Sequence, residues 1–219
     1  MSASIVILTG AGISAESGLG TFRDARGIWA EYDLEEVATP EGFARNPGLV
    51  HDFYNARRDN ARNAQPNAAH QALARLERAY SGRVTLITQN IDGLHEQAGS
   101  RNVHAMHGRV DRGLCSGCGH CWPVESALGV ETPCPACGQA ACRPDVVWFG
   151  EMPYDLDAIE RALLGAGELV VIGTSGTVYP AAGFVDLARQ IGTPTLEINL
   201  TRSDAADAFD RVIDGRASE

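Results

Sequence analysis

Three short apolar runs, IVILT (5–9), VTLITQN (84–90) and ELVVIGT (168–174), recur far apart along the chain, and a fourth, TPTLEIN, follows at 193–199. Each is rich in β-branched residues, nearly continuously apolar, and followed by small or polar residues. Continuous apolar runs suit strands covered on both faces, as in a parallel sheet. Segments of helical spacing lie between them, including AAHQALARLERAY (68–80) and DLDAIERALLGA (155–166). This alternation predicts an α/β fold, a Rossmann-like, doubly wound parallel sheet. Ligands of such sheets collect at the carboxyl ends of the strands, and here those ends carry the polar motifs.

Two stretches break the rhythm. Residues 27–66 hold helical pieces interrupted by TPEG and NPG, and residues 109–143 are rich in Cys, Gly and Pro without a long apolar period. Both read as insertions that together form a smaller lobe. The expected division is a sheet domain from 1–26, 67–108 and 144–219, a helical insertion at 27–66 and a metal-binding insertion at 109–143. A cleft between lobes is a favoured ligand site. There is no internal repeat and no low-complexity linker.

Composition narrows the function. The chain has 219 residues, 44% hydrophobic and 21% charged, which fits a folded globular protein. A formal net charge of −10 argues against a general binder of nucleic-acid backbone. No transmembrane run is present, so no membrane partner is expected. The start, MSASIVILTGAG, has no basic region or cleavage site, and a cytoplasmic location is expected. In that setting six cysteines read as free thiols and a metal site instead of disulfides.

The cysteines have informative spacing. Cys115-x2-Cys118, fifteen residues, then Cys134-x2-Cys137 is a strong four-thiolate zinc pattern. Cys118 and Cys137 each precede a glycine, which can take the positive-φ turn of a metal knuckle. Cys121, Cys142 and His120 are the outsiders. A closed four-cysteine site leaves no open coordination position, so the metal is expected to be structural.

In ILTGAGISAESG, Gly10, Gly12 and Ala15 follow a strand in a G-x-G-x-x-A pattern, which suits a tight turn and backbone approach to a pyrophosphate. The acidic residue expected on a second strand roughly twenty residues later is missing. This is a dinucleotide site of an unusual kind, or it is none. TQNIDGLH adds Gln89, Asn90 and Asp92 at a strand end, either turn caps or a polar site. HAMHGRV brings His104 and His107 before the cysteine lobe, and His107, next to a glycine at a junction, is the better candidate base. Finally, FYNARRDN (53–60) sets Tyr54 and Arg57 three places apart on one helix face. By itself that pair is either an ordinary half-buried surface or an anion site.

Together GAGISAESG, TFR, TQNID, the HG at 107–108, the paired CxxC motifs, PDVVWFGE, GTS at 173–175 and IN at 198–199 resemble the sirtuins, the NAD-dependent protein-lysine deacylases, in order and over nearly the whole chain. The resemblance implies NAD as co-substrate and one structural zinc ion. NAD would lie against Gly10, Ala11, Gly12, Ile13, Ser14 and the loop bearing Phe22, Arg23 and Trp29. Gln89, Asn90, Ile91 and Asp92 would meet its nicotinamide end, with Asn90 also catalytic. Gly173, Thr174, Ser175, Asn199 and Leu200 would hold the other ribose and the phosphates, and Ala217 would approach the adenine. His107 would be the general base, helping a ribose hydroxyl attack after the acyl-lysine oxygen has attacked the nicotinamide ribose. Nicotinamide, free lysine and O-acyl-ADP-ribose are the implied products.

The segment Val147, Phe149, Gly150 and Glu151 would pair by backbone with an acylated peptide. A Tyr-x-x-Arg on this helix resembles the class III branch that removes succinyl and malonyl groups, with Tyr54 and Arg57 binding the distal carboxylate and Ala38 keeping the tunnel wide. Arg58 is expected to be a solvated neighbour. A monomer acting on acylated lysines is the expected working form. Cys121 and Cys142 are extra to the four-ligand pattern, HGRVDRGLC is unusually polar, and the chain stops at DGRASE where relatives usually continue, which suggests a trimmed end. The competing readings are a zinc-ribbon binding module on a silent nucleotide-binding domain, and mono-ADP-ribosyl transfer.

Overall fold

The apolar run at 5–9 forms strand β1, Ser4–Thr9, at the centre of a six-stranded sheet. The computed structural model describes residues 3–21 and 32–219. After β1 come α1 (Ala11–Ser14), α2 (Leu34–Val37), α3 (Pro40–Arg45), α4 (Pro47–Asn63), α5 (Ala68–Ala79), β2 (Val84–Thr88), α6 (Leu94–Gln97) and β3 (Val103–Ala105). Then follow β4 (Gly108–Cys115), β5 (Cys121–Pro123), β6 (Cys142–Val146), α7 (Leu156–Leu164), β7 (Ala166–Ile172), α8 (Gly183–Gln190), β8 (Thr195–Asn199) and β9 (Arg211–Asp214).

The large sheet is parallel throughout, in the order β3-β2-β1-β7-β8-β9. Strand order reverses between β1 and β7, the switch point at which such folds open a crevice. The alternation of side chains along β1 explains its apolar run. Val6 and Leu8 pack with Ile159, Leu163, Phe184 and Val185 from α7 and α8, while Ile7 packs with Ile13 and Ala69 on the other face. Each fully buried aliphatic side chain contributes about 1.5–3 kcal/mol.

A second, antiparallel sheet, β5-β4-β6, carries the cysteine insertion. Helices α2 to α4 pack on it and on the first lobe through Val37, Val50, Phe53, Tyr54, Ile91, Val110, Val146 and Trp148. Caps set these helices. Asn46 accepts from Leu49 N–H ahead of Pro47 to open α4, and Asn67 forms a capping box with His70 to open α5.

The expectation that Arg58 is a solvated neighbour is overturned. It is 1% exposed, and its Nε donates to Val110 O at 2.8 Å. Asn55 exchanges two hydrogen bonds with Leu128, and Arg62 donates to Val124 O. Positions 55, 58 and 62 share a face of α4, spaced by three and four, and that face pins the helix to carbonyls of the cysteine insertion. Tyr54 and Arg57 lie a step around the helix and face elsewhere. The polar HGRVDRGLC is also accounted for: Arg109 forks onto Asp111 at 2.8 and 2.9 Å and also pairs with Glu96, while Gly108 and Val110 turn inward.

Among the described residues no helix is long and apolar enough to cross a membrane.

Candidate active site

A cavity of about 920 Å³ opens at the carboxyl ends of β1, β2, β7 and β8 and runs between the two lobes. That size exceeds what a single small metabolite fills and leaves room for a dinucleotide with a second reactant. Gly10, Ala11, Gly12, Ser14, Gln89, Asn90, Ile91, Asp92, Gly173, Thr174, Ser175, Asn199, Leu200 and Ala217 all line it. So do Tyr54, Arg57, His107, Val147, Phe149, Gly150 and Glu151. Residues separated by more than a hundred positions therefore converge on one space. Ile13 does not line it, being fully buried in the apolar layer beneath β1. Phe22, Arg23 and Trp29 lie outside the described residues.

The glycines of the first turn have a different task from the one their pattern suggests. A Cβ on Gly10 would stand 2.8 Å from Gly173 O, and one on Gly12 would stand 2.7 Å from Gly173 Cα. Their N–H groups donate to Ile172 O and Gly173 O, at 3.0 and 2.8 Å. They are spent on joining this turn to the loop after β7, not aimed at a phosphate. Close backbone approach is real here, but the approaching partner is the protein itself.

The polar strand end is pre-organised by the same turn. Asn90 Nδ2 donates to Gly10 O at 3.0 Å and Ser14 Oγ at 3.1 Å. Ser14 Oγ donates to Asp92 Oδ2 at 2.7 Å. Gln89 Nε2 donates to Thr174 Oγ1 at 3.0 Å, and Asn199 Nδ2 to Thr174 O at 2.8 Å. Side chains fixed in this way lose little further freedom when a ligand arrives.

His107 Nδ1 lies 3.1 Å from Gln89 O. A carbonyl oxygen can only accept, so Nδ1 carries the proton, and in the neutral ring Nε2 keeps its lone pair. Burial lowers the His107 pKa below the ordinary histidine value, and the bond to Gln89 opposes the shift. The ring is therefore neutral at pH 7, the state a base requires. His104, the other candidate, instead pairs with Asp155 at 3.0 Å on the edge strand and does not line the cavity.

On the cavity's other wall, the Tyr54 oxygen accepts from Trp148 Nε1 at 3.1 Å. Burial raises the Tyr54 pKa, so the phenol stays protonated. Desolvation lowers that of Arg57, opposed by Tyr54 and Asp92. A guanidinium in such surroundings stays charged and gains from an anionic partner. Ala38 lies close by, also on the cavity wall.

The expected peptide-pairing segment proves one-sided. The N–H groups of Val147, Trp148, Phe149 and Glu151 are taken by His107 O, Glu151 Oε2, Ala38 O and Trp148 O. Glu151 is held as well by Arg143, at 2.6 and 2.8 Å. What this stretch can offer a guest backbone is chiefly carbonyl oxygen. Trp148, Thr177 and Tyr179 also line the cavity, and the last two carry no signal in the sequence. Trp148 was signalled only by sitting at the centre of VVWFGE.

The four chosen cysteines come together. Tetrahedral zinc–thiolate bonds of about 2.3 Å set neighbouring sulfurs about 3.8 Å apart. The Cys115–Cys137 and Cys118–Cys134 sulfurs are each 3.7 Å apart, and all four lie within 4.8 Å. These donors fit one zinc ion in a structural site. Gly119 and Gly138 both have φ of 73°, and Ala136 N–H points at Cys134 Sγ at 3.4 Å. Cys121 and Cys142 stay outside the set.

Against known proteins, the pattern of the Sir2 family matches residues 10–180. A relative from Caulobacter vibrioides called NAD-dependent protein deacylase is 56% identical over 98% of this chain and 92% of its own length. A solved Sir2 homologue–NAD complex superposes with a TM-score of 0.90 at 43% identity, over 98% of this chain and 85% of that one. A Sir2 variant solved with deacetylated p53 peptide and 3′-O-acetyl ADP-ribose gives 0.85 at 31%, over 98% and 89%. The chain belongs to the Sir2 family.

Proposed function

We infer that this chain is an NAD-dependent protein-lysine deacylase with a site suited to acyl groups that end in a carboxylate. The observation carrying this reading is a single cavity, in a Sir2-family chain, that takes in His107, the Gln89–Asp92 strand end and the Tyr54–Arg57 pair. Bound NAD would supply the electrophilic sugar carbon, with nicotinamide, free lysine and O-acyl-ADP-ribose as products. His107 accepts a proton at Nε2 while Gln89 O holds Nδ1. Gly10, Ala11, Gly12, Ser14, Gly173, Thr174, Ser175, Asn199, Leu200 and Ala217 line the cofactor's part of the cavity, and Asn90 and Asp92 face the reacting end. Phe22, Arg23 and Trp29, which lie outside the described residues, are assigned to NAD by the family resemblance alone.

Val147, Phe149 and Gly150 receive the peptide, and Tyr54 and Arg57 hold the distal carboxylate. The sheet domain (1–26, 67–108, 144–219) thus binds cofactor, the helical insertion (27–66) selects the acyl group, and the insertion at 109–143 holds zinc. Thiolate ligands favour reducing surroundings, which supports a cytoplasmic location.

The test is a panel of acetyl-, malonyl- and succinyl-lysine peptides with NAD, followed by nicotinamide release. Tyr54→Phe and Arg57→Met should each lower kcat/KM for succinyl relative to acetyl about tenfold or more, as loss of a charge-assisted hydrogen bond predicts. Equal loss on both substrates would remove the carboxylate role.

A further inference from the structure

Trp148 is 3% exposed and unusually well held for a residue on the wall of a cavity. The Arg143 guanidinium carbon lies 3.5 Å from its ring centroid. Arg143 is itself fixed, by two bonds to Glu151 at 2.6 and 2.8 Å and one to Val146 O at 2.8 Å. The same Glu151 accepts from the Trp148 backbone N–H at 2.8 Å, and the Phe43 ring packs 5.1 Å away. The indole therefore has one orientation, and in it Nε1 meets the Tyr54 oxygen at 3.1 Å.

Hydrogen-bond roles then follow from chemistry. Indole N–H can only donate, so the Tyr54 oxygen must accept. A phenolic O–H lies near the ring plane in one of two directions, and the direction facing Trp148 is closed to it. The proton is left on the side away from Trp148. Accepting one bond also strengthens the donor for the next.

We propose that Trp148 is a positioning residue for acyl selection: its N–H orients the Tyr54 hydroxyl as a donor into the cavity, toward an anionic acyl end. The Arg143–Glu151 pair is the brace that keeps the indole there. This rests on the reading of Tyr54 and Arg57 as a carboxylate site, and it makes acyl preference depend on a residue that need not touch the acyl group's charge.

The test replaces one bond and leaves the shape. Trp148 is exchanged site-specifically for the analogue with sulfur in place of the ring N–H, and in parallel W148F is made. Both are combined with Tyr54→Phe, and melting temperatures confirm folding. KM and kcat are measured on succinyl- and acetyl-lysine peptides. The sulfur analogue should lower the succinyl-to-acetyl kcat/KM ratio about three- to tenfold, through KM, and have no further effect on that ratio when Tyr54 is Phe. A ratio unchanged by the analogue, or lowered equally in the Tyr54→Phe background, would overturn the positioning role while leaving the carboxylate site standing. If Tyr54→Phe alone leaves the ratio unchanged, the underlying reading falls and the proposal falls with it.

Discussion

His107→Ala should slow deacylation by roughly 10²–10⁴-fold, the range typical for loss of a positioned general base. The cause is loss of a neutral imidazole whose free nitrogen is fixed by the Nδ1–Gln89 O bond. A pH profile should carry the same signature. Because burial holds the folded-state pKa of His107 below the ordinary ~6.5, the base form persists through neutral pH. Activity should therefore fall on the acid side only as pH drops through that lowered value. The stability contribution has the same sign: it is present above ~6.5 and lost as pH falls toward the folded-state pKa. The measurement is kcat/KM against pH for the wild type, and single-pH rates for the variant. A variant within tenfold of wild type would take His107 out of the chemistry.

Cys115→Ala should be more damaging to the molecule as a whole. Its thiol is fully buried, and with Cys134 it forms the centre of the cysteine lobe's small core. Structural zinc in isolated small domains contributes about 10–16 kcal/mol of binding free energy that is also folding free energy. Loss of one of four thiolates should release the metal and unfold the lobe. The damage does not stop there, because Asn55, Arg58 and Arg62 hold α4 to carbonyls of that lobe. Metal analysis should find one zinc per wild-type chain and none in the variant, with a clearly lowered melting temperature. Cys121→Ser and Cys142→Ser should both retain the ion. A Cys115→Ala protein that kept one zinc and its thermal stability would refute the assignment.

The central strands were legible because they are long, apolar and buried on both faces. The edge strands were not. β3 spans three half-buried residues, VHA, and β9 is RVID, mostly exposed, so neither carries a period and both exist through pairing with a neighbour. The zinc ligands were legible because chelation demands local spacing that sequence displays directly. Arg58 was not, because its partner, Val110 O, lies 52 residues away and a carbonyl has no sequence signature. Gly10 and Gly12 fall between: the pattern announced a close backbone approach, while the identity of the approaching atom, Gly173, required the fold.

The amide economy of residues 147–151 bears on which proteins this chain would accept. Four of its amide protons are already committed internally, so under the pairing proposed above a guest chain would meet carbonyl oxygens and would have to bring the N–H. Nineteen of the genetically encoded side chains satisfy that demand equally, whatever their size or charge. Proline alone has no proton to give. Recognition of the proposed kind would work as a veto: it would admit almost any sequence around the lysine and refuse one residue at the positions where the two backbones meet.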